Sequence, residues 1–411
     1  MSRCKASATN KVARSIITFV CTVFVELLFG SAWAAPAAAK QALAVVPIVY
    51  ISKDDADAAR ASLLDPVVAD YGWQGAKFGV AEINVNGRFL GNQYELIKVT
   101  VPLTGDLAAA AKEALSGGHH LVIADLKAAD LLTLADLPEA QGTVILDART
   151  SDDSLRQSAC RENVFHLLPN WAMRADALGQ YLARKKWKRW FLLTGMTPAD
   201  QGYVAAVKRA ASRAGAKIVA EKSYEYHTDD GHEQLQSQIP NVTHISSAYD
   251  VLFAVDTSDA FGDFLLFNTW DPRLVVGTHG LTAVAWHPLF REYAARGIQY
   301  RFHLAAARDM TERDYGNWLA ASIIGEAVTR SRKTDAASIK SFLLSDQFSI
   351  PANKGEGLSF RRWDHQMRQP LLLFGPRMLV SMWPQDGSGH SRLQTDTIGY
   401  DQPESACQKL R

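Results

Sequence analysis

The feature that most constrains this chain is a repeated alternation of short β-type runs with helical stretches. Val45–Ile51 (VVPIVYI) is an apolar run of strand length without period-two alternation. Such a run suits a strand covered on both faces. A helical segment follows through Trp73–Asn84, then a strand-like Tyr94–Val99 and the strongly helical Leu107–Leu115 (LAAAAKEAL), stopped by Gly117-Gly118. His120–Ala124 reads as a strand, Ala128–Ala135 as a helix and Thr143–Leu146 as a strand. The order β-α-β-α-β-α-β predicts a parallel sheet with helices on both faces.

The pattern restarts after a connector at Phe165–Asn170. Helices are expected at Arg174–Arg184, Gln201–Ala214, Glu233–Ile239 and Asp259–Thr269, and strands at Trp190–Leu193, Lys217–Ala220, Val251–Val255 and Leu274–Val276. Further helices follow at Glu312–Thr329 and Ala337–Leu344. The expectation is an α/β chain of two doubly wound parallel-sheet lobes joined by a hinge. Composition agrees: 411 residues, 47% hydrophobic and 21% charged, are enough for two cores and exclude a disordered chain. With 44 Lys+Arg against 43 Asp+Glu there is no basic excess, so nucleic acid is not an expected partner.

The amino terminus differs from the rest. Arg3, Lys5, Lys11 and Arg14 precede an apolar stretch at Ser15–Val25, and Ala32-Trp33-Ala34 has the small-x-small form of a cleavage site. Residues 1–34 therefore read as a signal peptide cleaved near Ala34, with the mature protein in the periplasm; an uncleaved anchor helix is the alternative, and Glu26, at the end of the apolar stretch, argues against it. Of the four cysteines, Cys4 and Cys21 leave with that segment. Cys160 and Cys407 remain, and an oxidising compartment permits one disulfide between them; two free buried thiols are the alternative.

Enzyme signatures are missing: no G-x-G-x-x-G after a strand, no P-loop, no G-x-S-x-G and no H-E-x-x-H. No enzymatic activity, cofactor or metal is expected. Ligands of open parallel sheets sit beyond the carboxyl ends of the strands, and two facing lobes can close on one by a hinge. The candidate binding residues are Ser52, Lys53, Asp54, Asp125, Asp147 and Arg149 in the first lobe. In the second they are Thr194, Gly195, Asp256, Thr257, Thr278 and His279. Tyr71, Trp73 and Trp286 are candidates for an aromatic wall. Asp and Thr at such places also serve as helix caps.

Tyr71–Asn84 (YGWQGAKFGVAEIN), followed by Asn86–Gly91 (NGRFLG), resembles the first helix and turn of type I periplasmic solute-binding proteins, the leucine-binding-like receptors of ABC importers. Phe165–Pro169 resembles their hinge crossing and Asp314–Ala320 their late first-lobe helix. The resemblance implies an N-lobe from 45–164 with a return segment at 284–345. It implies a C-lobe from 165–283 with return strands and a tail at 346–411. Its implied partners are a small-molecule ligand and ABC permease and ATPase subunits, with the binding protein a monomer.

Leu358–Pro370 (LSFRRWDHQMRQP) and Asp396–Cys407 (DTIGYDQPESAC) are similar to a narrower branch, associated with PQQ-dependent alcohol dehydrogenase systems. This implies a role beside quinoprotein dehydrogenase components. Where the amino-acid receptors hold carboxylate and ammonium groups, this chain has Ala124-Asp125-Leu126 and Asp147–Thr150. The acids at the strand ends favour a neutral or cationic solute. They also motivate an alternative, an accessory or sensor protein binding a metal, cofactor or alcohol-derived ligand.

Overall fold

A computed structural model of the chain describes residues 43–55, 68–225, 232–385 and 393–410; the expected signal peptide lies outside them. In the first lobe the strands β1 (Ala44–Lys53), β2 (Asn92–Val101), β3 (Leu121–Asp125), β4 (Val144–Asp147) and β5 (Val164–His166) form one sheet in the order β2-β1-β3-β4-β5. All its neighbours are parallel. The apolar run of β1 occupies a central position, and Ile48–Ile51 are buried on both faces, which is why it carries no polar alternation. Helices α1 (Trp73–Gly87), α2 (Leu107–Ser116) and α3 (Ala128–Ala135) are the crossovers.

The second lobe begins with α4 (Trp171–Arg184) and alternates β6 (Arg189–Thr194), α5 (Pro198–Ala214), β7 (Lys217–Ser223), α6 (His232–Thr243) and β8 (Val251–Val255). The expected helix Asp259–Thr269 is reduced to a 3-10 turn at Gly262–Phe264 and one turn of helix, α7 (Leu265–Asn268). The Asp256 carboxylate accepts the N–H groups of Ala260, Phe261 and Gly262, holding this stretch in a loop. Strands β9 (Leu274–Gly277) and β10 (Leu281–Val284) complete the parallel part of the sheet.

The chain then returns to the first lobe with α8 (Ala295–Ala306), α9 (Glu312–Ser331) and α10 (Ala336–Leu343). A capping box between Thr311 and Asp314 starts α9, which packs against α1. The approach is so close that a Cβ on Gly75 would lie 2.1 Å from the Asp314 carbonyl oxygen. A small hairpin, β11 (Ser359–Phe360) with β12 (Met367–Arg368), precedes β13 (Leu371–Phe374) and β14 (Leu379–Trp383). These last two strands add antiparallel to the edge of the second sheet, whose order is β14-β13-β10-β9-β8-β6-β7. That sheet is therefore mixed rather than purely parallel.

The stretch after residue 345, read from sequence as C-lobe, starts differently. Phe360 packs on Phe165 at 5.0 Å between ring centroids, and Gln366 bridges His166 at the edge of the first sheet. Its apolar residues need the first lobe's core, so the crossing to the second sheet comes only at Gln369–Leu371. The disulfide is present: Cys160 and Cys407 are bonded, with their Cα atoms 5.7 Å apart.

Candidate functional site

The two sheets face each other across a cavity of about 450 Å³. Arg149, Ser151, Glu312 and Arg313 line it from the first lobe; Trp171, Arg174, Tyr203, Asp256, Thr257, Asp259 and Thr278 line it from the second. A larger hollow of about 680 Å³, lined by Tyr293, Trp318 and Glu326, lies on the flank of the first lobe, away from the strand ends. Strand-end geometry selects the smaller cavity.

Of the sequence candidates, Arg149, Asp256, Thr257 and Thr278 meet in this cavity. The Thr257 N–H and hydroxyl both donate to Asp200 (2.8 and 2.7 Å), and the Thr278 hydroxyl accepts the Asp256 N–H at 3.0 Å. His279, just behind, lies 3.3 Å from Asp259. Burial opposes its charged form, but Asp259, Asp256 and Asp263 outweigh burial and hold its pKa above the ordinary histidine value.

The other candidates serve the scaffold. Lys53 pairs with Asp130 at 3.3 Å, the Asp54 N–H donates to the Val101 carbonyl, and Ser52 is buried at the end of β1. Tyr71 carries the Arg308 guanidinium over its ring, Trp73 packs edge-on to Tyr50, and the Thr194 hydroxyl donates to the Gly195 carbonyl. Trp286 does not form a cleft wall. It is buried in the first lobe's core, stacked on Tyr315 with ring centroids 4.6 Å apart.

The acidic strand ends also differ from expectation. Asp125 is fully buried and accepts Arg313 Nε at 2.7 Å and the Tyr50 hydroxyl at 2.8 Å. Asp147 accepts His166 Nδ1–H at 2.7 Å and the Thr150 hydroxyl. Burial opposes its charged form, yet His166 and Arg156 hold its carboxyl below the usual range. Asp256 is spent on backbone N–H groups. These three carboxylates are engaged within the protein, and among the described residues no cluster of His, Cys, Asp and Glu could hold a metal ion.

Beside Asp256, Asp259 and Glu312 the cavity is faced by guanidinium and aromatic groups, of which strand-end reasoning found Arg149 and missed Arg174, Arg313, Trp171 and Tyr203. Arg149 gives one terminal nitrogen to Asp55 at 2.5 Å. Arg313 spends Nε on Asp125, and among the described residues its two terminal nitrogens make no hydrogen bond. Trp171 and Tyr203 stack at 4.7 Å between centroids, with Arg174 over the indole. The signal for Trp171 and Arg174 was their place in the first helical turn after the crossing. Glu312 closes the floor: it accepts Arg174 Nη2 at 2.9 Å from the second lobe and the Ala285 N–H from the second crossing.

Behind the cavity the crossings are tied by buried polar groups. Gln366 Nε2 donates to the Leu168 carbonyl at 3.0 Å, and Gln369 Nε2 to that of Leu167. The Lys354 ammonium bridges the carbonyls of Ala285 and Pro370 and lies over the Tyr315 ring. Burial pushes its pKa down to about 7.

Solved structures share this fold. A branched-chain amino acid ABC transporter periplasmic ligand-binding protein from Burkholderia xenovorans superposes with a TM-score of 0.69 at 14% identity, over 89% of this chain and 100% of its own. An R. palustris ABC transporter solute-binding protein in complex with benzoate gives 0.63 at 12% identity, covering 89% and 100%. The leucine-, isoleucine-, valine-, threonine- and alanine-binding protein of Brucella ovis, in a closed conformation, gives 0.63 at 13% identity, covering 88% and 96%. No curated protein sequence matches the chain. Among the described residues no helix is long and apolar enough to cross a membrane. Residues 67–261 match the family model described as periplasmic binding protein. The chain thus has the type I periplasmic binding protein fold.

Proposed function

We propose that this chain is the periplasmic substrate-binding component of an ABC-type importer, holding a small organic solute between its lobes and presenting it to permease and ATPase subunits. The observation that carries this reading is the cavity itself: it lies at the strand ends and is lined from both lobes by Arg149 and Arg313 on one side and the Trp171–Tyr203 stack on the other. Guanidinium groups with donors to spare suit a carboxylate or similar anion, and the stacked rings suit a flat apolar body. The proposed anion replaces the expected neutral or cationic solute, an expectation that rested on the acids at the strand ends, because Asp125 is paired with Arg313. Solved structures of this fold include a protein in complex with benzoate and a leucine-, isoleucine-, valine-, threonine- and alanine-binding protein, all of whose named ligands carry a carboxylate.

The physiological setting we assign is quinoprotein alcohol catabolism, on the likeness of Leu358–Pro370 and Asp396–Cys407 to that branch. Export rests on the leader-like residues 1–34. Native mass spectrometry of protein purified from its host weighs any retained ligand, and thermal shift with aromatic and aliphatic acids, amino acids, alcohols, amines and divalent cations ranks the classes. An acid raising Tm in the parent but not in Arg313→Ala supports the reading. Stabilisation by amines or metal ions alone overturns it.

A further inference from the structure

The chain passes between the lobes at three places, near residues 167–170, 284–286 and 368–371. The carboxyl-terminal segment, residues 393–410, touches both lobes again. We propose that it is a strap, a further interlobe connection that restricts how far the cleft opens, fastened by the Cys160–Cys407 disulfide.

On the second lobe the strap is bolted to α4 and α5. The Gly399 N–H donates to Asp176 Oδ2 at 2.9 Å and Gln180 Nε2 to the Thr397 carbonyl at 2.9 Å. Arg209 Nη2 donates to the Gly399 carbonyl and to Glu404, each at 2.8 Å, and Arg213 adds a second contact to Glu404. Ile398 is fully buried in that lobe's core beside Met173 and Trp383. Gly399 has φ +81°, and a Cβ there would lie 2.7 Å from Met173 Cγ, so the strap lies directly on α4.

On the first lobe it is held by the hairpin and by the disulfide. Arg361, fully buried, donates to the carbonyls of Thr395 and Ile398 at 2.7 Å and to Asp396 at 3.0 Å. Arg368 joins Asp396 at 2.8 Å, and the Trp363 indole N–H reaches the Tyr400 carbonyl at 3.2 Å. The Ala406 N–H donates to Gln157 at 2.7 Å, next to the bond from Cys407 to Cys160. The disulfide belongs to this seam: Cys160 sits just before β5 in the first lobe, and Cys407 lies near the end of a segment that is anchored on both lobes. Ile398 thus lies in one lobe's core while its carbonyl is held by the other lobe's Arg361. Rotation of the lobes about the three crossings must break these hydrogen bonds or move the strap with them.

The test measures lobe motion without any solute. Spin labels are placed on Glu113→Cys in α2 and Lys217→Cys in β7, both exposed, and interlobe distances are recorded by pulsed electron resonance in three backgrounds. These are the parent, Cys160→Ser/Cys407→Ser, and Arg209→Ala/Arg213→Ala, with peptide mapping verifying the native disulfide where it is retained. The proposal expects a narrow distribution in the parent and a broader one, with a longer-distance population, in both variants. Should the serine variant fail to fold, the arginine variant, whose changes are at partly exposed side chains, carries the test. Unchanged distributions, with hydrogen exchange showing residues 393–410 released, overturn it.

Discussion

Arg313 Nε lies 2.7 Å from Oδ1 of Asp125, and the Tyr50 hydroxyl donates to the other oxygen of the same carboxylate at 2.8 Å. The pair joins the end of β3 to the first turn of α9 and aims a guanidinium at the cleft. Removing the acid leaves the part-buried Arg313 cation without its hydrogen-bonded carboxylate and the buried Tyr50 phenol with Ser52 as its remaining side-chain partner. Asp125→Ala is therefore expected to destabilise the protein by about 3 kcal/mol, measured by urea denaturation. Its solute binding should fall as well, because Arg313 loses its anchor. Unchanged stability would falsify the view that Asp125 is a structural partner.

Trp171 and Tyr203 stack on the second lobe's side of the cavity. Trp171→Ala is expected to weaken the solute identified by thermal shift roughly tenfold or more, about 1.4 kcal/mol. Trp286→Phe, a change inside the core, should leave affinity within roughly twofold while lowering Tm. Titration calorimetry on both variants checks the contrast, and the reverse pattern would return the aromatic wall to Trp286.

The disulfide closes a sequence separation of 247 residues. In the chain-entropy account such a crosslink contributes about 5 kcal/mol by restricting the unfolded chain. Reduction, or Cys160→Ser with Cys407→Ser, is expected to lower Tm by several degrees. Two alkylatable thiols in unreduced mature protein would contradict the bond.

His279 is expected to titrate above its ordinary value of 6.5, because Asp259, Asp256 and Asp263 more than offset burial. The raised folded-state pKa means the charged histidine contributes stability fully below about pH 6.5. That contribution is lost as pH rises through the folded value. Subtracting the stability–pH curve of His279→Gln from the parent's isolates it. NMR of the ring gives the midpoint directly, and a midpoint below 6.5 contradicts the pairing.

Lys354 has the opposite sign. Burial holds its pKa at about 7 against an ordinary 10.5, so between these values the unfolded chain carries more protons and stability rises with pH. Lys354→Met should flatten that rise. It also strips the Ala285 and Pro370 carbonyls of their donor, at about 1–3 kcal/mol for each buried group left unsatisfied. Denaturation at pH 7 and pH 9 in both proteins separates the two effects.

The sequence by itself determined what is local. Val45–Ile51 had to be a strand, covered on both faces over Ile48–Ile51, Ala128–Ala135 a helix and Val251–Val255 a strand, since each pattern is complete within a few residues. Two repeats of that alternation are enough to specify two parallel-type sheets and to direct attention to the strand ends. Pairing with Cys407 was legible because few thiols remain after the leader-like segment.

Charge and position at the site were decided only by the tertiary structure. Asp125 reads as an available carboxylate until Arg313, 188 residues later, is seated on it. Asp256 reads as a ligand until three backbone N–H groups converge on it. Trp286 and Trp171 both follow crossings, and no local pattern tells which enters a core and which faces the cleft. Residues 346–411 read as one lobe's return strands and tail, whereas Arg361, on the first lobe's hairpin, is buried against Thr395, Asp396 and Ile398 of a tail that also packs on the second lobe. Desolvation makes each of these groups dependent on a partner, and the partners are brought together by packing between distant segments, which sequence spacing does not encode.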